Sequence, residues 1–214
     1  MKDAFAHVET WVFDLDNTLY PPDARLFDQI EARMSAYMVR ELGFDPAEAD
    51  RLRRVYWREH GTTLAGLMAE HAMLPDPFLE DVHRITFDAL TPDPALAGRI
   101  AALPGRKIIY TNGTAPYARE VIAARGLDGL FDAIYGVTEA GYRPKPERAA
   151  FETVFGRDGL RPTRAAMFED DPRNLAVPHA MGLRTVLVGP HPEPAADHVH
   201  HHTDDLSDFL SRLV

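Results

Sequence analysis

Trp11–Tyr20 reads WVFDLDNTLY, and the rest of the chain is organised around this stretch. Trp11, Val12 and Phe13 form a short apolar run of the kind that makes a buried parallel strand. Asp14 and Asp16, separated by Leu15, then fall where that strand ends, followed by Asn17 and Thr18. In open α/β sheets ligands bind at the carboxyl ends of the strands. Two carboxylates at such a position predict chemistry there.

Outward from this stretch the chain divides. Pro21 and Pro22 stop the strand, and from Asp23, read as an N-cap, to about residue 96 no segment has strand character. Leu26, Phe27, Ile30, Met34, Tyr37 and Met38 keep helical spacing up to Gly43. Asp45-Pro46-Ala47-Glu48 has the form of a capping box opening a helix that runs to about His60. Thr63–Met73 and Pro77–Leu90 read as two further helices. From Lys107 the pattern alternates. KIIYTN, Ala133–Val137, Ala165–Phe168 and Thr185–Val188 read as strands. Thr114–Arg125, Glu147–Phe155 (closed by Gly156), Pro172–Met181 and Asp204–Leu213 read as helices. Such alternation predicts βαβ units and a parallel sheet. The expected fold is a Rossmann-like α/β core, residues 1–20 and 97–214, with an all-helical insert at 21–96. Gly189–Pro194 reads as a surface loop.

Composition narrows the function. At 214 residues, with 45% apolar and 26% charged residues, the chain can bury a sizeable core. Its formal net charge of −10 argues against a nucleic-acid polymer or an anionic membrane as partner. The absence of cysteine excludes thiol catalysis and thiolate metal sites. MKDAFAHVET has no apolar h-region and no run approaches a membrane span, so a cytoplasmic location is expected. Oligomeric state is not readable.

Three more polar clusters fall at strand ends or helix starts: Thr111-Asn112-Gly113, Lys145 within RPKP, and Glu169-Asp170-Asp171. In a parallel sheet they converge with Asp14 and Asp16 on one edge. Carboxylates without His or Cys suit a hard cation, and Mg²⁺ takes one or two carboxylates with phosphate and water. Lys145 is a point charge suited to phosphate, and Gly113 lets backbone amides approach an anion. A carboxylate about 4 Å from one phosphate charge is repelled by roughly 4 kcal/mol at an effective dielectric near 20. Mg²⁺ and Lys145 offset that repulsion. Thr111 and Asn112 orient oxygens without adding to it.

Asp14-Leu15-Asp16-Asn17-Thr18 resembles the DxDxT motif of the haloacid dehalogenase-like phosphatase superfamily. Thr111, Lys145 and Asp170-Asp171 resemble its second, third and fourth motifs, in order. The insert sits where that superfamily carries a C1-type cap. DLDNTLY, YTNGTAPYARE, RPKP, FEDDPRNL and the cap stretch YWREHGTTLAGLMAEH (Tyr56–His71) are most similar to the pyrimidine 5′-nucleotidase branch. The resemblance implies Asp14 as nucleophile, forming an aspartyl-phosphate, and Asp16 as general acid/base. It implies Thr111, the Asn112 amide and Lys145 as phosphate ligands. Mg²⁺ is then held by Asp14, the Asp16 carbonyl and Asp170, with Asp171 behind them or reached through water. Glu169 stands where many relatives have Gly, which leaves the metal-ligand assignment within Glu169-Asp170-Asp171 open by one position.

The implied reaction is Mg²⁺-dependent hydrolysis of a small phosphate ester, first a pyrimidine nucleoside 5′-monophosphate, alternatively phosphoglycolate or a sugar phosphate. A 2-haloacid dehalogenase needs neither Asp16 nor Asp170. A non-catalytic binding protein predicts damage to a motif, and none is damaged. A phosphonate hydrolase needs a cap lysine, and residues 21–96 contain no Lys. Tyr20, just beyond the DxDxT loop, is a candidate substrate contact. Tyr56 and Trp57 are expected in the cap core. His198, His200, His201 and His202 are expected as solvated side chains of an edge strand.

Overall fold

The structure is a computed structural model that describes residues 1–191 and 196–214. The expected loop Gly189–Pro194 therefore lies in part, at residues 192–194, outside the described residues.

A short helix α1 (Lys2–Phe5) precedes strand β1 (Thr10–Phe13). Four helices follow: α2 (Leu26–Leu42), α3 (Pro46–His60), α4 (Thr63–His71) and α5 (Pro75–Val82). Then come α6 (Pro94–Ala102), β2 (Arg106–Tyr110), α7 (Ala115–Ala124), β3 (Ala133–Tyr135) and α8 (Arg148–Asp158). The chain closes with β4 (Ala165–Glu169), α9 (Ala176–Met181), β5 (Arg184–Val188), β6 (His201–Thr203) and α10 (Leu206–Ser211). The six strands make one parallel sheet in the order β3-β2-β1-β4-β5-β6. The expected Rossmann-like α/β core is thus present, and no strand occurs among residues 21–96.

β1 lies between β2 and β4, with Phe13 in register with Ile109 on one side and Phe168 on the other. All four of its residues are buried. Side chains alternate across the sheet: Trp11 and Phe13 join the apolar layer containing Phe168, and Val12 joins the opposite layer with Ile108 and Met167. Phe13 stacks on Phe168 at 4.8 Å between ring centroids, and Phe5 of α1 packs on Trp11 at 6.0 Å. The chain leaves β1 toward β2 and β3, then returns across it to β4. The resulting reversal between β1 and β4 opens a crevice at their carboxyl ends. Asp14 begins there, its N–H donating to the Phe168 carbonyl at 2.9 Å.

Local chemistry explains most element ends and several departures from the sequence expectations. Asp45 caps α3 by accepting from Ala47 N, with Pro46 at the first helical position. The reciprocal half of the capping box is absent, because the Glu48 carboxylate is bound by Arg51. Asp23 is not an N-cap. It lies in a 3₁₀ turn, Pro22–Ala24, and α2 starts only after Arg25, whose φ is +50°. Helix α5 ends eight residues before the expected Leu90. Past Val82 tertiary contacts override helix propensity: His83 stacks on Tyr117 at 4.5 Å, and the Gln29 amide pairs with both backbone groups of Thr86. Helix α8 runs through Gly156 to Asp158, since one helical glycine costs only about 1 kcal/mol. Gly159, with φ +79°, ends it. The segment after Asp171 splits into a 3₁₀ turn, Pro172–Leu175, and α9.

Helices α1 and α6 have no counterpart in the sequence pattern. α6, capped by Asp93, lies against α10, and Arg99 donates to the Ser207 carbonyl at 2.6 Å. Strand β6 is the edge strand, but the imidazoles around it are bonded rather than simply solvated. His198 meets the Pro172 carbonyl, His200 meets Thr185, and His202 meets the Gly189 carbonyl, each within 2.7 Å.

Candidate active site

Asp14 follows β1 directly, and the chain then turns sharply, with Leu19 N–H returning to the Leu15 carbonyl at 3.0 Å. Asn17 sits at φ +59°, which Asn tolerates better than most side chains. Asp14 and Asp16 are thereby brought to one cavity of about 620 Å³. Thr111 and Asn112 reach it from the end of β2, Lys145 from the loop before α8, and Glu169, Asp170 and Asp171 from the end of β4. The opposite wall comes from α2 to α5 and includes Phe27, Ile30, Met34, Leu64, Phe78 and Val82. All the sequence-predicted site residues except Tyr20 line this one cavity.

Lys145 organises the acidic end. Its Nζ donates to Asp14 Oδ1 at 2.7 Å, to Glu169 Oε2 at 2.6 Å and to the Tyr110 carbonyl at 3.1 Å. These use all three ammonium hydrogens, and only 1% of the residue is exposed. Asn112 fixes the Lys145 backbone: its Oδ1 accepts from Lys145 N at 2.8 Å and its Nδ2 donates to Lys145 O at 3.1 Å. The Asn112 side chain is spent on this task, so the backbone N–H is what the residue offers an anion. Gly136 keeps the neighbouring loop close, since a Cβ there would lie 2.6 Å from the Gly113 carbonyl.

Asp16 is held differently. Its Oδ1 accepts from Tyr20 OH at 2.7 Å and from Tyr117 OH at 2.6 Å, and its Oδ2 accepts from Thr111 Oγ1 at 3.5 Å. Tyr20, expected beside the substrate, is instead buried and does not line the cavity. Its para-hydroxyl, carried back by the Leu15–Leu19 turn, reaches Asp16.

Carboxyl oxygens of Asp14, Glu169 and Asp170 lie within 4.8 Å of one another. Asp171 stands outside this group. It caps the turn after β4, accepting from Arg173 N at 2.9 Å and from the Arg173 guanidinium. Among the described residues this is the one group of His, Cys, Asp or Glu side chains close enough to hold a metal ion. Its donors are all carboxylate oxygens, as a hard divalent cation requires.

The electrostatics point the same way. Burial, then the Glu169 charge, pushes the Asp14 carboxyl up to about 8 despite the opposing pull of Lys145. Burial also raises Asp16 and, with Glu169 and Asp14, raises Asp170 well above the carboxylate range. Burial alone lowers an ammonium, but Asp14 and Glu169 outweigh it and Lys145 is raised. Four carboxylates, Asp14 and Glu169 buried and Asp16 and Asp170 half-buried, surround one cation, an excess of acidic groups that a divalent ion relieves.

Two features of the site are not signalled by the motifs. Glu169 stands in the sequence only as an anomaly, yet it is the second anchor of Lys145. A signal is present, because an acidic side chain ending a buried strand needs a cationic partner. Tyr117 carries no such signal, since a tyrosine in the first turn of a helix commonly packs in the core. Trp57 is not in the cap core. It is 49% exposed, lines the cavity mouth, and carries the Arg173 guanidinium 3.7 Å above its ring. Tyr56 is buried, as expected, with its hydroxyl 2.7 Å from His71 Nε2.

Tyr117→Phe removes one donor to a buried carboxylate while leaving Tyr20 in place. Hydrogen bonds to charged groups are worth about 1.5–3 kcal/mol, so thermal unfolding should shift down by a corresponding amount. An unchanged melting temperature would sink the account of Asp16 as a doubly anchored group.

A parallel sheet with a carboxylate-rich crevice at its switch point, one buried lysine and a helical wall opposite defines a Rossmann-like α/β protein with a ligand site at the strand ends. The chain belongs to the haloacid dehalogenase-like hydrolase family, whose model matches residues 8–182. Phosphate metabolism protein 8 of Saccharomyces cerevisiae is 29% identical over 199 residues, 84% of this chain and 61% of that protein. The chain thus spans less than two thirds of that relative's length. Among solved structures, a HAD phosphatase from Thermococcus onnurineus superposes with TM-score 0.64 at 17% identity, covering 96% of this chain and 98% of its own. The Bacillus subtilis HAD-hydrolase YfnB, solved bound to magnesium, does so with TM-score 0.59 at 17% identity over the same shares. The L-2-haloacid dehalogenase PA0810 gives TM-score 0.59 at 19% identity, covering 97% of this chain and all of its own. At these identities the structural likeness speaks for the fold.

Proposed function

We propose that the protein is a Mg²⁺-dependent phosphomonoesterase acting on a small phosphate ester, a pyrimidine nucleoside 5′-monophosphate first among them. The observation that carries this reading is the Lys145 bridge between Asp14 and Glu169, with Asp170 alongside. It brings a carboxylate, a buried positive charge and a group of carboxylate oxygens side by side, as this reading needs.

In this reading Asp14 attacks phosphorus, forming an aspartyl-phosphate, while Asp16 gives its proton to the departing alkoxide oxygen. Asp16 then takes a proton from the water that attacks the acyl-phosphate, releasing inorganic phosphate and restoring Asp14. Tyr20 and Tyr117 keep Asp16 directed for both transfers. Thr111 and the Asn112 backbone N–H hold phosphoryl oxygens, and Lys145, whose three hydrogens go to Asp14, Glu169 and the Tyr110 carbonyl, acts on the phosphate as a fixed positive charge. Mg²⁺ would be held by Asp14, Asp170 and the Asp16 carbonyl and would supply charge to offset the repulsion between Asp14 and phosphate. Asp171, occupied by Arg173, supports the turn behind them. Residues 21–96 act as a cap over the site. The partner is a small phosphorylated metabolite rather than a nucleic-acid polymer or a membrane.

A phosphate-release screen over nucleoside monophosphates, 2-phosphoglycolate and sugar phosphates, with and without EDTA, tests the reading. Turnover that survives metal removal counts against it, as does chloride release from a 2-haloacid without phosphate release from any ester.

A second measurement needs no substrate. Asp14 holds its proton in the folded chain up to about pH 8, whereas in the unfolded chain it is lost near its ordinary value. Between those limits the folded state binds more protons, so stability falls as pH rises. His83, lowered to about 4 by burial, has the opposite slope, but that slope ends at the ordinary histidine value of 6.5. Lys145, raised, contributes no slope below its unfolded value. From pH 6.5 to 8 the carboxylates act alone. One proton is worth about 1.4 kcal/mol per pH unit, hence about 2 kcal/mol over that window. In EDTA the melting temperature should fall on the order of 4–8 °C across it, and saturating Mg²⁺ should remove the fall. A melting temperature in EDTA that is flat or rising over this window would contradict the charge excess.

A further inference from the structure

The acidic end of the cavity is set for a reacting phosphate, and on the phosphatase reading the far end is where the leaving group is distinguished. The wall there is largely apolar, and two oppositely charged side chains, Glu31 of α2 and Arg53 of α3, face the same space. Glu31 Oε1 accepts from Arg53 Nη1, and Arg53 Nη2 donates to Asp50 Oδ1 at 3.1 Å. The Arg53 side chain is 12% exposed and that of Glu31 is 38% exposed. The cation is therefore covered by two carboxylates, while Glu31 keeps a second oxygen with no protein donor. The more exposed Arg54 is matched by Asp50, which it shares with Arg53, and Lys145 by Asp14 and Glu169. Among the described residues lining the cavity, each lysine and arginine has a carboxylate partner. Arg53 Nε has no partner, but Glu31, Asp50, Arg53 and Arg54 together carry no net charge, so no net positive charge is left for a second anion, and the free oxygen of Glu31 repels one.

We propose that the Glu31–Arg53 pair determines specificity by selecting phosphate esters with an uncharged leaving group, an inference that rests on the phosphatase reading. That group has apolar faces, which the surrounding Phe27, Ile30, Phe78 and Val82 accommodate, and an edge bearing an N–H or O–H that Glu31 accepts. An uncharged heterocyclic base is of this class. Esters whose leaving group carries a carboxylate or a second phosphate are disfavoured by charge, since the half-buried Glu31 carboxylate repels an anion facing it across the cavity. If the pair were only a tie between α2 and α3, removing its charge would shift stability and leave the ranking of substrates alone.

The test uses the intact protein with Mg²⁺ and two ester pairs that differ in the charge of the leaving group. These are 2-hydroxyethyl phosphate against 2-phosphoglycolate, and a nucleoside 5′-monophosphate against its 3′,5′-bisphosphate. Each kcat/KM is normalised to p-nitrophenyl phosphate in the same variant. The wild type is expected to favour the neutral member of each pair at least tenfold, and Glu31→Gln to shrink both ratios at least tenfold. Equal wild-type rates within each pair overturn the proposal without any variant. So do unchanged ratios in Glu31→Gln, whatever its melting temperature. Failure to cleave p-nitrophenyl phosphate or any other ester overturns the phosphatase reading itself, and this proposal with it. Those results are distinguishable, because in the first two cases the aryl ester is still hydrolysed.

Discussion

Asp14→Asn is expected to remove turnover, lowering kcat on the order of 10⁴-fold or more, the scale seen when a covalent nucleophile is deleted. The fold should survive. Asp14 is 5% exposed and its carboxyl is raised to about 8 by burial and by Glu169, so its charge is a burden to the metal-free protein. An amide of the same shape forfeits the ion pair with Lys145 but also ends the repulsion from Glu169 and Asp170, and Lys145 keeps its bond to Glu169. Melting temperature and steady-state rate, measured on the same preparation, separate these effects. A folded Asn variant retaining even a hundredth of the wild-type kcat would show that Asp14 is not the nucleophile.

Lys145→Met is expected to damage stability as much as activity. The change leaves the buried Glu169 carboxylate, and Asp14 wherever it is ionised, without their shared cation. Breaking a buried pair by removing one partner costs about 3–5 kcal/mol, since the remaining charge stays desolvated. For a chain of this size that corresponds to a melting temperature lower by on the order of 6–20 °C. The double variant Lys145→Met/Glu169→Gln removes one of the stranded charges and should recover at least half of that loss. On the phosphatase reading its activity should stay at the level of the single variant, because the positive charge supplied by Lys145 is still missing. If the single variant melts with the wild type, Lys145 is not the keystone of the acidic end.

The reach of the sequence differs from element to element. Strand β1 and the clusters after β2 and β4 are legible because buried parallel strands are nearly pure apolar runs, so their ends stand out where polarity returns. Helix starts with a side-chain cap, Asp45 for α3 and Thr114 for α7, are legible for a similarly local reason. The end of α5 at Val82 is not legible locally, since the stacking of His83 on Tyr117 joins residues far apart in the chain. The same holds for Tyr20. Its position after the DxDxT loop suggests the cavity, but burial against the core turns its hydroxyl back to Asp16. Trp57 departs in the opposite direction. Helical periodicity cannot tell a core-facing aromatic from one that faces a cavity, and Arg173, from the turn after β4, covers it. The convergence of the four polar clusters is legible, whereas the division of labour among Glu169, Asp170 and Asp171 needs the partners of each oxygen.

The central place of β1 has a consequence in time. Its residues are made long before their hydrogen-bonding neighbours on one side, which come only with β4. Asn17 and Asp170, which meet in the finished site, are 153 residues apart. At about 5–20 residues per second of synthesis, the strand waits roughly 8–30 s for that partner, exposing Trp11 and Phe13 meanwhile. The inserted helices, rich in local contacts, can form during the wait. The acidic cluster therefore stays incomplete until Glu169 and Asp170 have been made.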